Sequence, residues 1–345
     1  MNHKIAIDLG CATLIAAEAG AGILHREPSV IAINRKTGQV LAVGAESQNS
    51  AIKDAQNSVL MRPFRSGITN NPDITYHVLN TMLKRAFPYP IRGAKLLMSI
   101  PCDMSSLEES ILIELALKAG VKSCHLIYSP IAAMASAFIS PFSECLLVDI
   151  GAARTNIMLL CKGNILYKKT IAAGGEKFDS AIAAYVVKKH KLQISLKTAE
   201  TLKLHIGTVW DRKNGELLED TVTGKKLEDG ELSDACIHAS EMYEALEEPV
   251  AEVLEAICIA ISKIPPQHVR GVFDMGIMLC GGGANLSGIA KMIAGVTGVK
   301  ATVMDAPEDA VATGLAKIEE WLPSQVPDSV RNLSRFYIEN FIVMQ

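Results

Sequence analysis

The chain has 345 residues, 49% of them hydrophobic and 21% charged, with a formal net charge of −3. That length suggests two domains or one large α/β unit, and that composition excludes a disordered chain. The near-neutral balance gives no field that would draw in nucleic acid, so none is expected as a partner. The eight cysteines, at Cys11, Cys102, Cys124, Cys145, Cys161, Cys236, Cys258 and Cys280, form no CxxC pair. The histidines are not grouped at metal-ligand spacing, so reduced, mostly buried thiols in a cytosolic protein are the expectation.

In chain order, the N-terminus enters a strand at once (KIAIDLG), which leaves no room for a signal peptide. No apolar run reaches the roughly 18 residues that a membrane helix needs. Residues 5–19, IAIDLGCATLIAAEA, read as strand, Asp-x-Gly turn and strand. Residues 83–95, LKRAFPYPIRGAK, form a loop in which Phe87, Tyr89 and Ile91 alternate with prolines between basic residues. A strand follows at 96–100. Ser105 with Glu108 fits a capping box that opens a helix ending at Gly120. Residues 146–160, LLVDIGAARTNIMLL, repeat the design of 5–19, which argues for duplication over two unrelated hairpins. A strand at 165–169 and a helix at 178–190 come next. The polar stretch 211–233 reads as hairpin and loop in a peripheral subdomain. A long apolar-periodic helix spans 241–263, kinked or divided by Pro249. A strand at 276–280 runs into three glycines, with a helix expected directly after them at 285–294. In the tail, 329–345, apolar residues crowd the end; it docks on its own domain or meets a filament neighbour or lipid. Strands alternating with helices argue for α/β architecture.

Three glycine-bearing turns stand at strand ends: Asp8-Leu9-Gly10-Cys11-Ala12-Thr13, Asp149-Ile150-Gly151-Ala152-Ala153-Arg154-Thr155 and Gly281-Gly282-Gly283-Ala284-Asn285. Small residues let backbone N–H groups approach phosphate oxygens closely. An Asp at each hairpin can hold a hydrated Mg²⁺, which prefers few carboxylates and several waters. Each turn alone is weak evidence, but three on a duplicated frame are much stronger.

Two Asp-x-Gly hairpins plus a later Gly-Gly-Gly-Ala turn resemble the phosphate-1, phosphate-2 and adenosine motifs of the actin, Hsp70 and sugar-kinase superfamily. Within it the chain is most similar to MreB. The segments REPSVIAI, LAVGAE, MRPFRSGIT, AAGGEKFDSAI, TAETLKLHIG and LCGGGANLSGI match MreB segments in order. The resemblance runs from about residue 4 to residue 316. It implies an actin-like, duplicated ribonuclease-H-like α/β fold, two domains each with a smaller subdomain around a nucleotide cleft. The implied bounds are 1–31, 65–141 and 319–345 for subdomain IA, 32–64 for IB, 142–178 and 252–318 for IIA, and 179–251 for IIB. It also implies ATP, or GTP, with Mg²⁺ as cofactor. Asp8 and Asp149 would face the metal through water. Gly10, Cys11, Ala12 and Thr13, and Gly151, Ala152, Ala153, Arg154 and Thr155, would bracket the phosphates. Gly174 and Gly175 would join them. Glu200, Thr201, Leu202 and Lys203 would line the ribose and adenine side, although these residues by themselves also read as a solvated helix face. Gly281, Gly282, Gly283, Ala284 and Asn285 would close over the adenosine and α-phosphate.

The departures from the family pattern cluster at the reacting end. MreB has a DLGTANT-like first loop, whereas DLGCAT here is one residue short and puts Cys11 where a hydroxyl stands. MreB has DIGGGTT in the second loop, whereas this chain carries Ala152, Ala153 and Arg154. Arg154 either reaches a phosphate or turns to solvent. The Glu-Glu-Pro that positions the hydrolytic water corresponds to Tyr128-Ser129-Pro130, so Ser129 occupies the catalytic position without a carboxylate. Weak or lost ATP hydrolysis follows.

The loop bearing Phe87, Tyr89 and Ile91 matches the hydrophobic loop by which MreB meets the inner leaflet, and its cations suit an anionic interface. The alternative is a proline-stiffened loop packing its aromatics on its own subdomain. The resemblance implies a cytoplasmic filament subunit, peripheral at the inner membrane, in cell-shape control or wall-synthesis positioning. Its partners would be further copies of itself, the membrane surface, and cell-shape and wall-synthesis membrane proteins. A non-polymerising regulator or chaperone-like relative is the alternative, and a small-molecule kinase the more distant one.

Overall fold

Two Asp-x-Gly hairpins begin the two halves of the molecule, and a computed structural model shows each half as a separate body. It describes residues 3–47, 49, 56–65, 70–210, 218–325 and 342–343. One unit comprises Met1–Ser143, Lys162–Asn164 and Asp309–Gln345, the other Glu144–Cys161 and Ile165–Glu308.

The first unit runs β1 (Lys4–Leu9), β2 (Thr13–Glu18), β3 (Gly22–Pro28), β4 (Ile31–Asn34), β5 (Val40–Val43), β6 (Ser58–Met61), α1 (Pro72–Ala86), β7 (Lys95–Ile100), α2 (Ser106–Lys118), β8 (Ser123–Tyr128) and α3 (Ser129–Ser136). The main sheet has the order β17-β8-β7-β1-β2-β3, where β17 is Ile342–Val343 near the end of the chain. Strands β1, β7 and β8 are parallel neighbours, and β1, β2 and β3 form an antiparallel meander. Central β1 is covered on both faces, with Ile5, Ala6 and Ile7 at 1% exposure or less, which explains its unbroken apolar run. Ser105 caps α2 with the expected capping box to Glu108. Helix α9 (Ala310–Gln325) packs on α3, where Gly314 is needed because any β-carbon there would collide with the Ala132 carbonyl. A second sheet, β5-β4-β6, stands apart from the first.

The second unit runs β9 (Glu144–Ile150), β10 (Thr155–Cys161), β11 (Asn164–Ile171), α4 (Gly175–His190), β12 (Leu192–Gln193), α5 (Leu196–Ile206), β13 (Glu219–Lys226), β14 (Leu232–His238), α6 (Ala239–Ser262), α7 (Val269–Met275), β15 (Ile277–Cys280), α8 (Ile289–Thr297) and β16 (Ala301–Val303). Its main sheet has the order β11-β10-β9-β15-β16, with β9, β15 and β16 parallel. Counted from the hairpin, this is the first unit's pattern of β3-β2-β1-β7-β8 repeated. The duplication read in the sequence is therefore present in the topology. A smaller sheet, β12-β13-β14, holds the hairpin expected in the polar stretch; residues 211–217 lie outside the described residues.

One expectation is narrowed and one corrected. Helix α6 is not divided, because Pro249 lies within one continuous helix and is buried. No helix opens directly after the three glycines. A single 3₁₀ turn occupies Gly282–Asn285, and α8 starts only at Ile289. The reason is pairing: Ser287 bridges to Thr208 and its carbonyl accepts the Val209 N–H at 3.0 Å, so this stretch is extended. Of the tail, Ile342–Val343 pairs antiparallel with Ile127 and Leu126 of β8, whereas residues 326–341 lie outside the described residues. Among the described residues no helix is long and apolar enough to cross a membrane. All eight cysteines are free thiols, and five of them are buried.

Candidate functional site

Both Asp-x-Gly hairpins have one geometry. In the first, Leu9 pairs with Leu14 and Asp8 with Ile15; in the second, Ile150 pairs with Thr155 and Asp149 with Asn156. Four residues therefore turn the chain in each. Each turn also closes on the carbonyl three residues after its glycine. A β-carbon on Gly10 would sit 2.5 Å from the Thr13 oxygen, and the Gly151 N–H donates to the Arg154 carbonyl at 2.8 Å.

In the first unit, the chemistry gathers at the C-terminal ends of three parallel strands, the usual place for ligands in α/β sheets. Asp8 is the last residue but one of β1, and its Oδ1 accepts a hydrogen bond from Ser99 Oγ near the end of β7. Tyr128 ends β8, and Ser129 opens α3, with Pro130 beside it and 7% of its own surface exposed. The Cys11 thiol donates to the Phe64 carbonyl at 3.2 Å, so it points into the fold instead of standing in for a hydroxyl at the turn surface.

In the second unit, Asp149 is 7% exposed. Its Oδ2 accepts from Asn156 Nδ2 at 3.1 Å, and the Asn156 amide oxygen accepts from Thr170 Oγ1 at 2.7 Å. A buried polar chain thus orients the carboxylate. The carbonyls of Gly151 and Ala152 accept from the N–H groups of Gly175 (3.0 Å) and Glu176 (2.8 Å), the first residues of α4. Thr155 Oγ1 donates to the Ala173 carbonyl at 2.6 Å. The start of α4 therefore underpins the turn and spends its orphan donors on it. Gly174 must be glycine, because a β-carbon would lie 2.5 Å from the Gly151 oxygen. Among the described residues, the N–H groups of Ala152 and Ala153 donate to no other backbone group.

The third turn closes on the same strand end. Cys280 is the parallel neighbour of Asp149. Gly281 has φ of +79°, and its β-carbon would fall 2.6 Å from Asp149 Oδ1. Gly283 presses on Ile150 in the same way, whereas Gly282 faces open space. Asn285 Nδ2 donates to Glu308 Oε2 at 2.9 Å.

Helix α5 divides its expected ligands. Lys203 Nζ donates to the Gly175 carbonyl at 3.1 Å and pairs with Asp179 at 2.7 Å, close under the turn. Glu200 instead pairs with Lys197 at 2.7 Å, Thr201 Oγ1 donates to the Lys197 carbonyl, and Leu202 is 1% exposed in the core. The structure thus brings Asp149, Gly151–Thr155, Gly174, Gly175, Lys203 and Gly281–Gly283 together. The supporting residues Ser99, Asn156, Thr170 and Asp179 were not singled out from the sequence. Asn156 did carry a signal: with Thr155 it is a polar residue in an otherwise apolar strand.

The loop after α1 is anchored inward. Phe87 is 3% exposed, and Tyr89 stacks on His3 with ring centroids 4.0 Å apart. Burial, with the Glu18 carboxylate beside it, raises the Tyr89 hydroxyl pKa well above its ordinary value. Ile91 is half-buried, and Pro88, Pro90 and Arg92 are exposed.

The family model of the MreB/Mbl protein matches residues 2–325. The cell shape-determining protein Mbl of Bacillus cereus is 33% identical over 319 residues, covering 90% of this chain and 94% of that protein. The cell shape-determining protein MreB of Escherichia coli is 29% identical over 332 residues, covering 93% and 94%. Among solved structures, MreB5 of Spiroplasma citri bound to ADP aligns with a TM-score of 0.85 at 22% identity over 99% of both chains. The MamK double helical filament aligns with a TM-score of 0.77 at 18% identity, over 95% of this chain and 100% of that one. The chain has the actin-like fold and belongs to the MreB/Mbl family.

Proposed function

We propose that this protein is a nucleotide-binding filament subunit that works in cell-shape control at the inner membrane and hydrolyses its nucleotide weakly or not at all. The observation that carries the nucleotide reading is the convergence on one strand end of Asp149, the 151–155 turn, the start of α4, Lys203 and the 281–283 turn. At this strand end Gly281 and Gly283 stand where a side chain would collide with its surroundings, whereas Gly282 faces open space and leaves room for a ligand. Small residues and a buried carboxylate suit a phosphate with its Mg²⁺, and Lys203 would stand on the ribose and adenine side. Asp149 would hold the ion through water, and the ion would neutralise phosphate charge. Related structures support the same reading, since MreB5 of Spiroplasma citri was solved with both ADP and AMPPNP. ATP is the expected nucleotide, with GTP the alternative.

The filament reading rests on family membership and on the MamK double helical filament. Weak hydrolysis is inferred from Ser129, whose short hydroxyl supplies no carboxylate to a water. Membrane attachment, wall-synthesis partners and the four subdomain bounds are inferred from the family resemblance. Of the membrane-loop residues, Ile91 and the exposed Arg92 beside it are best placed to meet lipid, while Phe87 and Tyr89 hold the loop's shape. The test is calorimetric titration with Mg-ATP and Mg-GTP, then sedimentation and negative-stain microscopy of the same sample. Saturable binding with filaments supports the proposal. Binding without filaments favours a non-polymerising regulator, and no binding at millimolar nucleotide rejects the nucleotide role.

A further inference from the structure

We propose that Glu219, Cys236 and His238 form a binding site for one borderline-soft divalent transition-metal ion of the zinc class. The three residues lie on the β13–β14 hairpin. Its register sets Glu219 opposite His238 and Thr221 opposite Cys236. Cys236 and His238 are two apart on one strand and share a face; Glu219 is directly across from the histidine and diagonal to the cysteine. Their ligand atoms all lie within 4.8 Å of one another, and His238 Nδ1 is 3.5 Å from Glu219 Oε2. In a tetrahedral zinc site with these ligand types, neighbouring donor atoms are about 3.3–3.6 Å apart. Small side-chain rotations therefore close the cluster on an ion, and the exposed Glu219 has the freedom to make them.

One further feature makes this more than a chance grouping. His238 Nδ1 is enclosed, and the Glu219 carboxylate that faces it at 3.5 Å is too far for a good hydrogen bond, while its residue is fixed at the start of α6, where its backbone N–H donates to Glu241 Oε2 at 2.9 Å. A bound cation would satisfy that nitrogen. Thiolate and imidazole donors favour zinc-like ions over Mg²⁺ or Ca²⁺, which keeps this site chemically distinct from a nucleotide-bound Mg²⁺. Three protein ligands leave a fourth position for water or an outside donor.

Cobalt titration of the reduced full chain tests the proposal, because a thiolate on Co²⁺ gives a near-ultraviolet charge-transfer band and a tetrahedral site gives strong visible bands. One equivalent of Co²⁺ should develop both, and Zn²⁺ should displace it. The near-ultraviolet band should vanish in Cys236→Ser, a mild change on an exposed strand whose fold is checked by thermal unfolding without metal. It should persist in Cys258→Ser, the other exposed thiol. Glu219→Gln should weaken binding by at least about tenfold, no less than the loss of an outer-sphere partner. No saturable band in the wild type, a band that survives Cys236→Ser, a band lost in Cys258→Ser, or unchanged affinity in Glu219→Gln would each overturn the site.

Discussion

Gly281 lies against Asp149 so closely that a β-carbon on the glycine would fall 2.6 Å from the carboxylate Oδ1. Two motifs more than 130 residues apart thus meet at one strand end. Gly281 also holds φ of +79°, so Gly281→Ala should cost at least about 2 kcal/mol through strain and overlap. Gly282 is different, because it faces open space. Gly282→Val should leave the urea midpoint nearly unchanged and weaken nucleotide binding by at least about tenfold. Urea unfolding and calorimetry on the two variants separate scaffold from ligand contact. Equal nucleotide affinity in Gly282→Val would remove this turn from the binding site.

Lys203 should matter for stability even without nucleotide. Its ammonium pairs with Asp179 at 2.7 Å, and both side chains are mostly buried, at 14% and 12% exposure. Lys203→Met leaves the carboxylate without its cation and should cost roughly 3 kcal/mol. The double variant Lys203→Met with Asp179→Asn should recover part of that loss, because no charge is then stranded. A double-mutant cycle in urea measures the coupling. A coupling near zero would show that the pair is only a solvated contact.

What the sequence made legible was local. The Asp8 and Asp149 hairpins, the Ser105 capping box and the glycine turn are set by residues within a few positions of each other. What it hid was set by register and long-range closure. Cys236 and Glu219 are neighbours only because the turn between β13 and β14 fixes which residues face each other. The start of α8 was misplaced because Ser287 pairs with Thr208, far away in the chain, and this overrides the helical pattern after the glycines. Leu202 was read as a ligand beside Lys203, yet its helix phase turns it into the core. Arg85 illustrates the same limit. It reads as a loop cation, but it pairs at 2.6 Å with Glu27, itself 5% exposed.

His125 supplies a pH prediction. It lies on β8, its Nδ1 is enclosed without a hydrogen-bond partner, and burial and then Lys95 lower its pKa from 6.5. Below about pH 6.5 the unfolded chain therefore binds more protons at this site than the native protein does. This contribution to stability is complete above that pH and is lost as pH falls further. The wild-type urea midpoint should drop between pH 7.5 and pH 5.5, and His125→Leu should drop less. Parallel slopes for the two proteins would show that His125 is protonated equally well in both states.

The loop after α1 should not behave as a set of three equal anchors. Phe87→Ser should destabilise the fold by about 3 kcal/mol, because Phe87 is 3% exposed. Ile91→Ser with Arg92→Ser should leave stability unchanged and reduce co-flotation with anionic liposomes. Filament formation multiplies weak contacts, so flotation is measured with and without nucleotide. Flotation equal to wild type would assign attachment to another surface.

The last prediction is that the protein releases phosphate from ATP slowly, if at all, and that one substitution does not restore the rate. Ser129 opens α3 and is 7% exposed, and it offers a hydroxyl where the resemblance to MreB implies a carboxylate. Losing water positioning commonly costs about 10²-fold or more. The turns also differ: Cys11 points to the Phe64 carbonyl, and Ala152 and Ala153 replace glycines of the family loop. Ser129→Glu places a carboxylate at a helix N-terminus, where the dipole offsets part of its burial cost, so the variant should fold. Its rate should rise little, because the phosphate-facing turns are unchanged. Combining Ser129→Glu with family-type turns should raise the rate by more than the separate changes predict, since such residues act as a unit. Steady-state phosphate release from the wild type, Ser129→Glu and the combined variant, measured under polymerising conditions, decides the matter. Wild-type turnover equal to that of Escherichia coli MreB would sink the prediction and show that another group organises the water.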